Sequence, residues 1–127
     1  MSSTKKTTPP FEVRVSPIHG SGVFALRRIR AGQPLIDYLG LRLTGRALAA
    51  RLEDKNAIDN PHTFLFRINS RVYVDAAVDG NDARFINHSC EPNCETTVSG
   101  YRITIRSLRT IQPGEELSYD YALEIEA

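Results

Sequence analysis

Residues 81–93 read NDARFINHSCEPN, a run dense in groups that can hold a ligand. Arg84, Asn87, His88, Cys90 and Asn93 lie close together, with Phe85 among them. Amides and backbone groups can read the polar edge of a heterocycle, and a phenylalanine ring supplies an apolar wall. Buried amides and imidazoles are costly unless their hydrogen bonds are met. Either a ligand or a knotted backbone must therefore meet them. A second run, residues 114–121, reads GEELSYDY and sets two tyrosines among carboxylates. A third is His19-Gly20-Ser21-Gly22, whose glycines let backbone approach a ligand and take positive φ. Alone, that third run reads as a turn between two strands. His88, Cys90 and Cys94, with His62, carry a rival reading as zinc ligands. Structural zinc sites show two closely spaced halves, and only one loose half is present, so no metal site is expected.

The elements that must position these residues fit one small domain. The chain has 127 residues, 41% hydrophobic, enough to bury a core without disulfide staples. Two cysteines do not make a secreted disulfide framework. Sixteen basic against fifteen acidic residues give a net charge of +1, which is not the basic footprint of a nucleic-acid binder. No apolar run reaches the roughly 20 residues that span a bilayer. Direct nucleic-acid and membrane partners are therefore not expected. The opening MSSTKKTTPP lacks an apolar leader core, so residues 1–10 read as a flexible tail before a domain over 11–127. An intracellular, reducing compartment follows.

Alternation predicts strands at 11–15, 23–26, 35–39 and 101–106. Residues 62–68 and 72–75 read as a hairpin around Asn69-Ser70-Arg71. Thr44 can cap the one convincing helix, over residues 44–54, and Asn60-Pro61 closes that segment. Pro113-Gly114 turns the chain into residues 117–121. Residues 29–35 and 111–117 echo each other faintly, as shared turn chemistry does. Many short strands at close spacing predict a mostly-β fold of several small sheets.

In this order and spacing, the three motif runs resemble the signature of the SET-domain protein lysine methyltransferases. Residues 16–25, SPIHGSGVFA, are most similar to the trithorax-type members. The resemblance runs from about residue 11 to 121. It implies the SET fold (a β-clip), a short helical insert, and a C-terminal segment threaded as a pseudoknot. It implies S-adenosylmethionine as cofactor, against His19, Gly20, Ser21, Gly22, Arg84, Phe85, Asn87, His88 and Tyr121. Asn87 and His88 would hold the adenine and amino-acid ends, and Arg84 and Phe85 would line the same pocket. Tyr121 would be the catalytic tyrosine. Tyr119 stands at the family's Phe-or-Tyr position, which sets how many methyl groups are added. Phe64, Tyr119 and Tyr121 would line the substrate channel. Glu116 and Asp120 would anchor the threaded segment, and Pro92 and Asn93 would shape it.

Three positions depart from the family pattern. Ser21 replaces a frequent aromatic or basic residue, Val15 a cofactor-contacting Arg, and Phe64 a common Tyr. In members with a cysteine-rich tail, the Cys at position 90 joins three tail cysteines around zinc, and these 127 residues hold no such tail.

The implied chemistry needs little acid–base machinery, because the cofactor brings an activated methyl. The protein must present a neutral amine, although free lysine has a pKa near 10.4. A narrow apolar channel and the sulfonium both disfavour the ammonium. The Tyr121 hydroxyl would orient the amine lone pair. Carbonyl oxygens would hold the polarised methyl through weak C–H···O contacts. The expected partner is a lysine-bearing protein or peptide, histone or histone-like, laid along a strand edge. The expected location is cytoplasmic in a bacterial host and nuclear in a eukaryotic one. The alternative is a SET-fold module that binds cofactor or partner with little turnover for want of a lid. A homodimer is one way to supply that lid.

Overall fold

The computed structural model describes residues 8–16, 20–53 and 64–121. His19, His62 and the expected helix stop at Asn60-Pro61 lie outside them.

Ten strands and one α-helix occur among the described residues. β1 (Phe11–Ser16) and β2 (Gly20–Ala25) form an antiparallel ribbon. β3 (Pro34–Asp37), β8 (Cys94–Ser99) and β9 (Arg102–Ser107) form an antiparallel sheet with β9 in the centre. A second antiparallel sheet holds β4 (Leu41–Leu43), β5 (Leu65–Asn69) and β6 (Val72–Asp75), with β6 in the centre. β7 (Asn87–His88) and β10 (Ser118–Tyr119) make a two-residue parallel pair.

Period-2 alternation builds the core. Ile103 and Ile105 of β9 are buried, while Arg102 and Thr104 between them hold Asp37 of β3 on the outer face. Val23 and Ala25 join them from the ribbon, and Ile86 and Leu117 from the motif runs. The two echoing segments meet. Ile29 and Ile111 are both buried and exchange backbone hydrogen bonds of 2.9 Å in each direction.

The hairpin turns as expected. Asn69 Oδ1 accepts from the backbone N–H of Arg71 at 2.7 Å and of Val72 at 3.0 Å, a side chain mimicking a turn. The helix is α1 (Gly45–Glu53), with Leu48 buried. Arg51, in its last turn, forks onto Asp75 of β6 at 3.2 and 3.1 Å and docks the helix to the sheet.

Three expectations shift. β2 begins at Gly20 rather than residue 23, because Ser21 and Gly22 pair with Val15 and Arg14 across the ribbon. Tyr101 is not in the strand. It lies in the β8–β9 turn, 52% exposed, with the Arg42 guanidinium 4.4 Å over its ring. β3 ends at Asp37, yet Tyr38 N–H still donates to Ile103 O of β9 at 2.8 Å, and its side chain is buried.

Candidate active site

Segment 114–119 is bracketed from both sides. The β2 side supplies backbone bonds: Ala25 N–H to Glu115 O at 2.9 Å, and Leu117 N–H to Val23 O at 2.8 Å. The opposite side belongs to residues 87–93. Asn93, 3% exposed, donates Nδ2 to Glu116 O and accepts Ser118 N–H on Oδ1, both at 2.9 Å. One amide thus satisfies a donor and an acceptor of the threaded strand. Asn87 Nδ2 donates to Ser21 O and to Glu116 Oε2, each at 2.8 Å. All three motif runs are therefore tied at one crossing.

Two details of this crossing bear on the expected roles. Gly22 is buried, and a Cβ there would overlap the Glu116 carboxylate. Its missing side chain makes room for Glu116. The amide hydrogens of Asn87 are engaged within the protein. Any reading of a ligand by Asn87 falls to its amide oxygen or backbone. Gly20 differs from Gly22: its φ is +86° and nothing lies within 4 Å of where a Cβ would stand. Beside it Val15, opposite Ser21, is 82% exposed.

His88 fixes the end of the segment. Its Nδ1 accepts the Tyr121 backbone N–H at 3.1 Å. A nitrogen that accepts carries no proton, so the neutral ring bears its hydrogen on Nε2, which faces Cys90 Sγ at 3.4 Å. The 3.7 Å approach of Asp120 to Nδ1 is then no ion pair. Of the rival metal set, His88 and Cys90 are adjacent, whereas Cys94 is buried in the core. Burial pushes the Cys94 thiol up to about 12, against the thiolate a metal needs. Among the described residues no three His, Cys, Asp or Glu side chains converge.

An aromatic wall runs inward from His88. Its ring meets Tyr121 at 5.3 Å, Tyr121 meets Tyr119 at 4.9 Å, Tyr119 meets Phe66 at 6.5 Å, and Phe66 meets Tyr38 at 5.1 Å. Tyr38 O–H donates to Phe64 O at 2.9 Å and so joins the expected channel residue to the wall. Local sequence reading missed Tyr38, which sits in an apolar run and passes there for core. Phe64 stands edge-on to Phe85 at 6.2 Å. The Arg84 guanidinium lies 4.8 Å from the Phe85 ring centre and 5.7 Å from that of Phe64.

Tyr121 O–H donates to Ile86 O at 2.6 Å. Its proton is thereby engaged, and its oxygen is left to act as an acceptor. Burial, then the Glu116 charge, pushes this phenol up to about 12, so it is neutral at physiological pH.

The SET-domain model matches residues 20–122, most of the chain and all of this crossing. The chain belongs to the SET-domain family. Among curated relatives, the trithorax histone-lysine N-methyltransferase of Drosophila virilis is 43% identical over 117 residues, covering 87% of this chain and 3% of that protein. Histone-lysine N-methyltransferase 2B of Homo sapiens is 44% identical over 115 residues, covering 87% and 4%. The H3 lysine-4 specific enzyme of Saccharomyces cerevisiae is 36% identical over 132 residues, covering 99% and 12%. A solved structure of ctPRC2 in an autoinhibited conformation bound to S-adenosylmethionine superposes with a TM-score of 0.80 at 26% identity, over 95% of this chain and 16% of that one. This SET domain thus spans a small part of the length of each relative. The expected fold, small sheets with a helical insert and a threaded C-terminal segment, is the one found.

Proposed function

We propose that this SET domain transfers a methyl group from S-adenosylmethionine to the ε-amine of a lysine in a protein, histone or histone-like. The observation that carries the reading is the Tyr121 hydroxyl. It is neutral, its proton is held by Ile86 O, and its acceptor face ends an aromatic wall beside Asn87 and His88. The names of the relatives support it, being histone-lysine N-methyltransferases of animals and a fungus. Their histone substrates favour a nuclear setting. A bacterial, cytoplasmic setting and a homodimer find no support.

The residues present fit the cofactor. Open space over Gly20 and exposed Val15 flank Ser21, whose carbonyl accepts from Asn87 Nδ2, and the half-buried Phe85 belongs to the same run as Asn87 and His88, which suits a flat heterocycle with a polar edge. His19, Gly20, Ser21, Arg84, Phe85, Asn87, His88 and Tyr121 would border it, with Gly22 acting through Glu116. When bound, the cofactor supplies the sulfonium-activated methyl. Tyr121 accepts a hydrogen bond from an amine N–H and so turns the lone pair toward the methyl, rather than meeting the lone pair itself. Tyr38, Phe64, Phe66 and Tyr119 exclude water and hold the aliphatic stem, which favours the neutral amine. Tyr119, behind Tyr121, limits the room for an amine already methylated.

One observation favours weak turnover by these residues alone. Tyr121 is 42% exposed, so water reaches the wall unless something covers it.

The test is methyl transfer from labelled cofactor into histones and a cell lysate, with mass spectrometry placing the mark. Tyr121→Phe should lower kcat about 100-fold or more, while cofactor affinity stays within a few-fold. Unchanged turnover would remove Tyr121 from its role. Absence of cofactor binding at millimolar concentration would end the reading.

A further inference from the structure

Arg84 belongs to the run expected to line the cofactor pocket, and its charged end also reaches the ring of Phe64, an expected channel residue. The guanidinium is stacked against Phe85 and Phe64, and Nη1 donates to Ala76 O at 3.1 Å. Its Nε is buried and bonded to nothing. Among the described residues, no ion pair includes it. A guanidinium stays charged at every physiological pH, and ring faces tolerate a partly desolvated cation. Among the described residues this is a permanent positive charge without an acid partner, 5.7 Å from the Phe64 ring centre.

We propose that Arg84 is an electrostatic positioning residue whose fixed charge, set against the wall of the lysine channel, favours the neutral amine of the substrate. The inference rests on the methyltransferase reading and gives that site a proton-balance device of its own. An ammonium entering the channel meets a like charge through low-dielectric aromatic walls, where screening is weak. Its proton leaves to solvent, and the free amine remains.

Among the described residues, Asp75 acts against Arg84 at Tyr38, and the other acids around the channel are held by partners or exposed. Asp75 of β6 is the buried carboxylate on this side, and Arg51 of α1 already forks onto it. Glu116 is held by Asn87, and Asp120 sits beside His88 at the far end of the wall. Asp82 is exposed at the start of the 3-10 turn that carries Arg84. Tyr38, Tyr119 and Tyr121 complete the set. The Tyr38 phenol shows that the charge is felt here. Burial, then Tyr121 and Asp75, raise its proton affinity, and Arg84 is the one neighbour that lowers it.

Two measurements test the inference. The first is the pH profile of kcat at saturating cofactor and lysine peptide, which reports ionisation in the complex. Arg84→Gln should move the acid limb upward by about one pH unit, and Arg84→Lys should hold it near its original place. The second needs no turnover: calorimetric affinities of the protein without cofactor for a lysine peptide and for its norleucine analogue, at neutral pH. Arg84→Gln should shift the preference toward lysine several-fold. Where Arg84→Gln does not fold, Arg84→Met fills the same space between the rings without charge. An unmoved acid limb in an active protein, or an unmoved lysine-to-norleucine ratio, overturns the proposal. A protein inactive at every pH instead defeats the methyltransferase reading, and the peptide ratio still decides the role of Arg84.

Discussion

Where segment 114–119 crosses residues 87–93, two asparagines and the backbone of β2 hold it through a dense set of short hydrogen bonds. The helical insert α1 is docked differently. It buries Leu48 and leans on one ion pair, Arg51 to Asp75, with Arg51 Nη1 buried and unbonded. Amides are costly to bury but, once paired, hold a fixed geometry at no charge penalty. An ion pair tolerates sliding and repacking. The crossing must place Tyr121 against Ile86 O within hydrogen-bond reach, so it is over-determined. The insert carries none of the motif residues, so its docking is not tied to that geometry.

The largest effect expected from this contrast is at Asn93. Asn93→Ala removes, in a partly buried place, the amide that bonds both Glu116 O and Ser118 N–H, a cost of about 2–4 kcal/mol. Denaturant unfolding should show it, together with loss of methyl transfer. A loss under about 1 kcal/mol would mean that the β2 side alone holds the segment.

Arg51→Met keeps the stem of the side chain and removes the charge. Asp75 then retains Ala77 N–H at 3.0 Å as a donor but has no cation. Because Arg51 remains partly exposed, water can compensate in part, and about 1–3 kcal/mol is expected. The telling outcome is the ratio of effects. If Arg51→Met hurts stability more than Asn93→Ala, the insert rather than the crossing is the keystone.

Gly22→Ala is a finer probe. The new methyl would have to displace a Glu116 carboxylate held by Asn87, at about 1–2 kcal/mol for overpacking. Alanine tolerates the backbone here, since no positive φ is present at Gly22. Glu116→Gln should relieve little of this, whereas Glu116→Ala should relieve most of it. A double-mutant cycle measured by thermal unfolding reads the coupling directly.

The contrast also explains what sequence reading reached. The hairpin at Asn69 and the helix at residues 45–53 rest on local rules, turn chemistry and spacing, and both were legible. The three motif runs were legible as types that can do chemistry. Their connections were not. Asn87 reaches Ser21 across 66 positions and Asn93 reaches Glu116 across 23, and no local pattern encodes such ties. For the same reason the space that Gly22 leaves for Glu116 cannot be read from the sequence. Tyr38 hides in an apolar run because the burial of its side chain is a property of the tertiary fold. β8, with Glu95, Thr96 and Thr97, lacks the apolar alternation that would announce it, since most of its side chains face water.

The smallest effect tests how far the crossing depends on the turn that feeds it. Glu115 Oε2 accepts Gln112 N–H at 3.0 Å, and Oε1 meets Arg109 at 3.0 Å. These partners, the backbone bond first, hold the carboxyl below the usual carboxylate range. A depressed folded-state pKa contributes stability above the unfolded value, near 4.3, and that contribution is lost as pH falls through the folded one. Arg109 is more than half exposed, so solvent screens the pair and only a few tenths of a kcal/mol is expected. Glu115→Gln should therefore unfold slightly more easily than the parent at pH 7. The gap should close as the pH falls through the folded-state pKa, where the parent carboxyl also becomes neutral. Urea midpoints followed from pH 7 to 3 measure it. A gap that persists unchanged at pH 3 would assign the effect to the shape of the 112–115 turn rather than to charge. The entrance to the crossing would then rest, like the crossing itself, on hydrogen-bond geometry alone.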